Sequence, residues 1–181
     1  MSNTFPIAKK YGYDIDQVEE FLVKARSAFA AEAPDDTSMQ AKEIRETAFE
    51  LTKKGYSIQA VDLAIERLED AIAKKERDWK IEEIGLEKWR EQTQQLAQEI
   101  VDRISLPDGK RFARAGALRQ GYNRKQVDRF LDTLLPVFAG ETDVNVSEIR
   151  KVAFTPKSNG YSEVQVDSLL DSVVEALQAI E

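Results

Sequence analysis

The chain has 181 residues, 42% of them apolar, which is enough to bury a core and makes disorder the wrong default. It has neither cysteine nor histidine, so disulfides and thiolate chemistry are excluded, a zinc site nearly so, and the side chain most used for proton transfer near neutral pH is missing. A net charge of −7 disfavours general binding to nucleic acid, which needs a positive surface to neutralise phosphates.

Only 8 glycines and 5 prolines interrupt stretches rich in Ala, Leu, Glu, Lys, Gln and Arg, a helix-forming composition that predicts an all-α fold with little or no sheet. The N-terminal residues form no apolar run, and no run of 18 apolar residues occurs anywhere, so a soluble, cytoplasmic protein is expected.

In chain order, Gly12-Tyr13-Asp14 opens the first patterned segment, with Val18 and then Phe21, Leu22, Ala25 and Phe29 on one helical stripe. After a connection over 30–37, Thr37 with Gln40 reads as a capping box before Ile44-Arg-Glu-Thr-Ala-Phe49. Gly55-Tyr56-Ser57 follows, then Val61 and the stripe Ala64, Ile65, Leu68, Ile72. Residues 74–109 differ. Leu86, Trp89, Leu96, Ile100 and Ile104 keep helical spacing, Gly85 marks a break, and Pro107-Asp108-Gly109 is a turn, so two helices are expected, the first running on through Trp79. The tryptophans read as packing residues.

The pattern then recurs as Gly121-Tyr122-Asn123, Val127 and Phe130, Leu131, Leu134, Phe138. A second connection, 139–145, leads to Asn145 with Glu148 as capping box, Val144 and Ile149 as its staple, and Ile149-Arg-Lys-Val-Ala-Phe154. The last occurrence is Gly160-Tyr161-Ser162, Val166 and Leu169, Leu170, Val173, Leu177. Four occurrences predict tandem helix-turn-helix repeats in two pseudo-equivalent halves, about seven or eight helices in all. The halves are 1–78 and 110–181, with 79–109, carrying Trp79 and Trp89, as a helical connector.

Capping chemistry accounts for the repeated residues. Asp14, Ser57, Asn123 and Ser162 are good N-caps, and Gln17, Gln126 and Gln165 complete capping boxes that Ala60 breaks in the second copy. Tyr13, Tyr56, Tyr122 and Tyr161 stand where a hydrophobic staple meets Val18, Val61, Val127 and Val166. Each glycine suits a left-handed residue ending an earlier helix. The acid after each valine (Glu19, Asp62, Asp128, Asp167) reads as a local structural charge, near a helix N-terminus or paired to Lys54, Arg119 or Lys157, rather than as a catalytic or Mg²⁺-binding carboxylate.

One charge run stands apart. Lys110, Arg111, Arg114, Arg119, Arg124, Lys125 and Arg129 face a single acid, Asp128. The plain reading is a solvated face; the functional one is a docking surface for an acidic partner, an anionic lipid head group or an acidic half of a second molecule.

The motif Phe-x5-Gly-Tyr-[Asp/Ser/Asn]-x3-Val-[Asp/Glu] at Phe49 and Phe154, and its Gly-Tyr portion at all four places, resembles the DivIVA domain, and more closely the actinobacterial DivIVA-domain repeat proteins. The resemblance implies a non-enzymatic adaptor or scaffold without cofactors, linked to bacterial cell division or polar growth, at septum or pole, with division or cell-envelope proteins as partners. Two departures stand out. No stripe continues as coiled-coil heptads, so a compact adaptor is expected rather than a filament former. Lys10, Lys53, Arg119 and Ser158 occupy the position two before each glycine, where the family's founders carry an aromatic wedge, so membrane contact rests on charge and on Tyr11. A peripheral membrane-binding protein and a small carboxylate-using enzyme are the alternatives.

Overall fold

The computed structural model describes residues 4–31, 39–116 and 119–180. Along them run β1 (Tyr11–Tyr13), α1 (Ile15–Ala30), α2 (Ala41–Arg45), β2 (Leu51–Lys53), α3 (Ile58–Ile84) and α4 (Leu86–Ile104). Then come β3 (Gln120–Tyr122), α5 (Arg124–Asp132), α6 (Leu135–Phe138), α7 (Val146–Arg150), β4 (Pro156–Ser158) and α8 (Glu163–Ile180). They form two compact units, Met1–Gly85 and Leu86–Glu181, each with its own apolar core. Gly85, at φ 86°, ends α3, so the segment 79–109 is divided between the units. Among the described residues no helix is long and apolar enough to cross a membrane.

The chain is mostly helical, but the expectation of no sheet is corrected by two short antiparallel ribbons. β1 pairs β2 in the register Tyr11↔Lys53, Gly12↔Thr52, Tyr13↔Leu51; β3 pairs β4 as Gln120↔Ser158, Gly121↔Lys157, Tyr122↔Pro156. The glycines are there because two backbones meet without room for a side chain. A Cβ on Gly12 would collide with the Tyr56 carbonyl oxygen and lie 2.8 Å from the Gly55 carbonyl carbon; one on Gly121 would collide with the Tyr161 oxygen. The glycine as left-handed helix stop is therefore also corrected. The positive φ next to these motifs belongs to Lys54 and Asn159, both at 59°, one step before Gly55 and Gly160.

Each Gly-Tyr pair stands directly before a helix, and Val18, Val61, Val127 and Val166 are buried. Asp14 accepts from the Gln17 N–H at 3.1 Å and Asn123 from the Lys125 N–H at 3.2 Å, whereas the Ser57 side chain makes no capping bond. Thr37 lies outside the described residues, and the N-cap of α2 is Gln40, whose N–H donates to Glu43 at 2.9 Å. Asn145 caps α7 by accepting from the Ser147 N–H at 2.8 Å.

The glutamines do not close capping boxes. Gln17 accepts from the Glu50 N–H, Gln126 from Thr155 and Gln165 from Ala113, all residues on a strand-like segment of another copy. The break at Ala60 then has a chemical reason. Glu50, Thr155 and Ala113 each follow a phenylalanine, and the residue following Phe5 is Pro6, which has no N–H to satisfy.

Phe49 packs edge-on against Tyr13 and Phe154 packs tilted against Tyr122, at ring distances of 5.3 Å in both cases. Phe5 and Phe112 pack edge-on against Tyr56 and Tyr161, at 5.3 and 5.2 Å. The first and third copies thus also own a phenylalanine, set seven and nine residues before their glycines rather than six.

Candidate binding surface

Each acid after a valine meets a tyrosine of the other copy in its unit. Tyr161 donates to Asp128 at 2.8 Å with both groups buried, Tyr56 to Glu19 at 2.5 Å, and Tyr122 to Asp167 at 3.4 Å, while Tyr13 is hydrogen-bonded with Asp62. The expected pairing with Lys54, Arg119 or Lys157 is replaced by these phenol contacts. Burial, then the Asp128 carboxylate, push the Tyr161 phenol up to about 12. Burial is the leading cause raising Tyr13 and Tyr122 as well. Hydrogen bonds from Thr4 and then Tyr56 hold Glu19 below the usual carboxylate range. Burial raises Asp167. Among the described residues no three acids gather as metal ligands would.

The basic segment does not form one continuous exposed patch. Arg111 is buried, donating to the carbonyls of Leu106 at 3.0 Å and Asp128 at 2.7 Å, and pairing with Asp132 at 2.5 Å and Asp108 at 3.3 Å. It ties the turn after α4 to α5 and serves the interior, because a guanidinium with five donors can hold two carbonyls and several carboxylates at once. Lys110, Arg114, Arg119, Lys125 and Arg129 are exposed and Arg124 half-buried. Arg114 donates to Asn159 at 3.3 Å.

Of the seven, Arg124 and Lys125 come together around a hollow of about 290 Å³ between the start of α5 and the β3–β4 ribbon. Lys157 joins them, placed there by its register opposite Gly121, two residues before the N-cap Asn123. Nothing in the sequence marked Lys157 as part of the cluster, since only the strand pairing brings it near; a search for residues opposite each glycine would have found it. Asp108 and Asp128 also line the hollow, but Arg111 lies 3.3 Å and 3.7 Å from them. Among the described residues Arg124, Lys125 and Lys157 have no ion-pair partner.

The first unit has a different surface at its ribbon. Tyr11, Ile7 and Leu51 are 56%, 40% and 58% exposed, and Lys9, Lys10, Lys53 and Lys54 are exposed beside them. In the second unit a groove of about 400 Å³ runs between α4 and α8, with Leu96, Ile100, Phe112 and Leu169 among its lining residues.

Comparison of the chain with protein-family models, curated proteins and solved structures gave no match. The fold and its surface define a mostly helical chain of two units, each closed by a short ribbon and a tyrosine–carboxylate exchange.

Proposed function

We propose that the chain is a tandem duplication of one ribbon-and-helix motif, acting as a non-enzymatic adaptor that docks an acidic protein partner on the α5 corner of its second unit. The observation that carries this reading is the convergence of Arg124, Lys125 and Lys157, all without ion-pair partners among the described residues, around one hollow. The repeated carboxylates are engaged by tyrosines, which supports a structural role for them rather than an enzymatic one. Clustered unpaired charge steers an oppositely charged partner and makes association salt-dependent. The test is binding of an oligoglutamate peptide at low salt. Charge reversal at Arg124 and Lys125 should abolish it while leaving stability within about 1 kcal/mol; unchanged binding would return these residues to a solvated face.

The resemblance to DivIVA-domain proteins supports a link to bacterial cell division or polar growth. A fluorescent fusion in an actinobacterial cell should concentrate at septum or pole, and a uniform distribution would sever that link. A second reading, peripheral contact with an anionic membrane, is favoured by the first unit's ribbon, where Tyr11, Ile7 and Leu51 stand exposed among four lysines. Basic side chains near an anionic surface are worth about 1 kcal/mol each. Co-sedimentation with anionic vesicles that is lost in Tyr11→Ser and in Lys10→Gln would support it.

A further inference from the structure

The α5 corner has three counterparts in the same chain, and they act as internal controls. The two residues after the N-cap are Ile15-Asp16 in the first copy, Ile58-Gln59 in the second and Glu163-Val164 in the fourth, against Arg124-Lys125 in the third. All four sites begin a helix, so the motif does not demand cations there. Lys157, three residues before Gly160, corresponds to Thr52, three before Gly55; Lys9 stands three before Gly12, but opposite a helix that begins Ile58-Gln59, so the combination of all three cations is peculiar to this corner.

Its shape and chemistry narrow what it takes. The hollow, about 290 Å³, admits the head of one side chain and not a folded surface. Asp108 and Asp128 share the Arg111 guanidinium with Asp132, and Asp128 further accepts from Tyr161 and from the Gly109 N–H at 3.0 Å, so both acids are turned to partners of their own whereas the three cations have no ion-pair partner among the described residues. The Lys125 N–H is taken by Asn123, leaving recognition to the side chains of Arg124, Lys125, Lys157 and Ser158. A carboxylate brings one negative charge to three unpaired cations. A phosphate monoester brings between one and a half and two, with three acceptor oxygens. Resting on the docking reading above, we infer that this hollow is a phosphate-monoester site that receives a phosphorylated side chain of the protein partner. A membrane is the poorer occupant, because Lys157, Ser158 and Asn159 on the ribbon beside it are exposed and polar, with no apolar group to insert.

The experiment follows amide resonances of the full chain during titration with a short Gly/Ala peptide carrying one phosphoserine, with its glutamate version and with oligoglutamate. The phosphopeptide should saturably shift the amides of Gly109, Arg124, Lys157 and Gly160. Arg124→Gln and Lys157→Gln should each weaken it roughly tenfold, while Arg129→Gln, on the same helix but outside the hollow, should not. A glutamate peptide that binds as tightly as the phosphopeptide would overturn the phosphate assignment and leave the docking reading intact. Loss of all three ligands would sink both. Shifts spread equally over Lys9, Lys10 and Lys53, or binding to anionic vesicles alone, would also overturn the assignment.

Discussion

Replacing Tyr161 by Phe removes one oxygen and nothing else, so its cost isolates the phenol–carboxylate bond. Tyr161 is 0% exposed and Asp128 4%, and their bond is 2.8 Å long. A buried hydrogen bond to a charged group is worth about 1.5 to 3 kcal/mol. Because Arg111 and the Gly109 N–H still hold the carboxylate, a loss of about 2 kcal/mol is expected. Tyr122→Phe is the matched control, since its bond is 3.4 Å long to an exposed Asp167, and should cost less than about 0.5 kcal/mol. The two units need not unfold together, so a single global midpoint would be misleading. Trp79 lies in the first unit and Trp89 in the second, and a Trp79→Phe background lets Trp89 fluorescence report urea unfolding of the second unit alone. The midpoint should fall for Tyr161→Phe with an unchanged slope. Equal midpoints for the two tyrosine variants would refute the idea that this buried exchange closes the unit.

The same phenol sets an alkaline limit. Its folded pKa of about 12 stands above the ordinary 10, so the stability it contributes is fully present below pH 10 and is lost as pH rises toward 12; in Tyr161→Phe the second unit's alkaline unfolding should be correspondingly shallower. Gly121→Ala forces a Cβ into the Tyr161 carbonyl and should cost about 3 kcal/mol, measured by the same fluorescence, whereas Gly116→Ala, with open space around it, should be near neutral. Arg111→Ala leaves Asp128 buried without its guanidinium and should cost about 3 to 5 kcal/mol; a loss below 1 kcal/mol would place Arg111 on the surface after all. Val127→Ala, at a fully buried position, should cost about 2 kcal/mol by thermal or urea unfolding.

Helix positions were legible because their signals are local: an N-cap, a valine four residues on, and a 3.6-residue stripe. The ribbons were not, since three residues cannot show strand alternation and their partners lie far along the chain. The glycines and glutamines misled for one reason. Capping gave each a complete local role, and the structure spends both on long-range backbone contacts instead. Arg111 was hidden inside a run of like charge, and no spacing rule separates an interior guanidinium from its exposed neighbours. Phe5 and Phe112 escaped a fixed-gap search because their offsets from the glycine differ from those of Phe49 and Phe154.

The tyrosine–carboxylate exchange also bears on how fast this protein reaches its fold. Helical chains fold quickly because most of their contacts are between near neighbours. Here the bonds that close each unit join residues 37 and 33 positions apart, and the glycine-to-glycine approach cannot form until both strands have been brought together. Loop closure on that scale must be met before any of these contacts contributes. The helices can form early, but the rate-limiting event expected in each unit is then the pairing of its two strands, so the folding rate should lie nearer to mixed α/β domains than to helical bundles of its size.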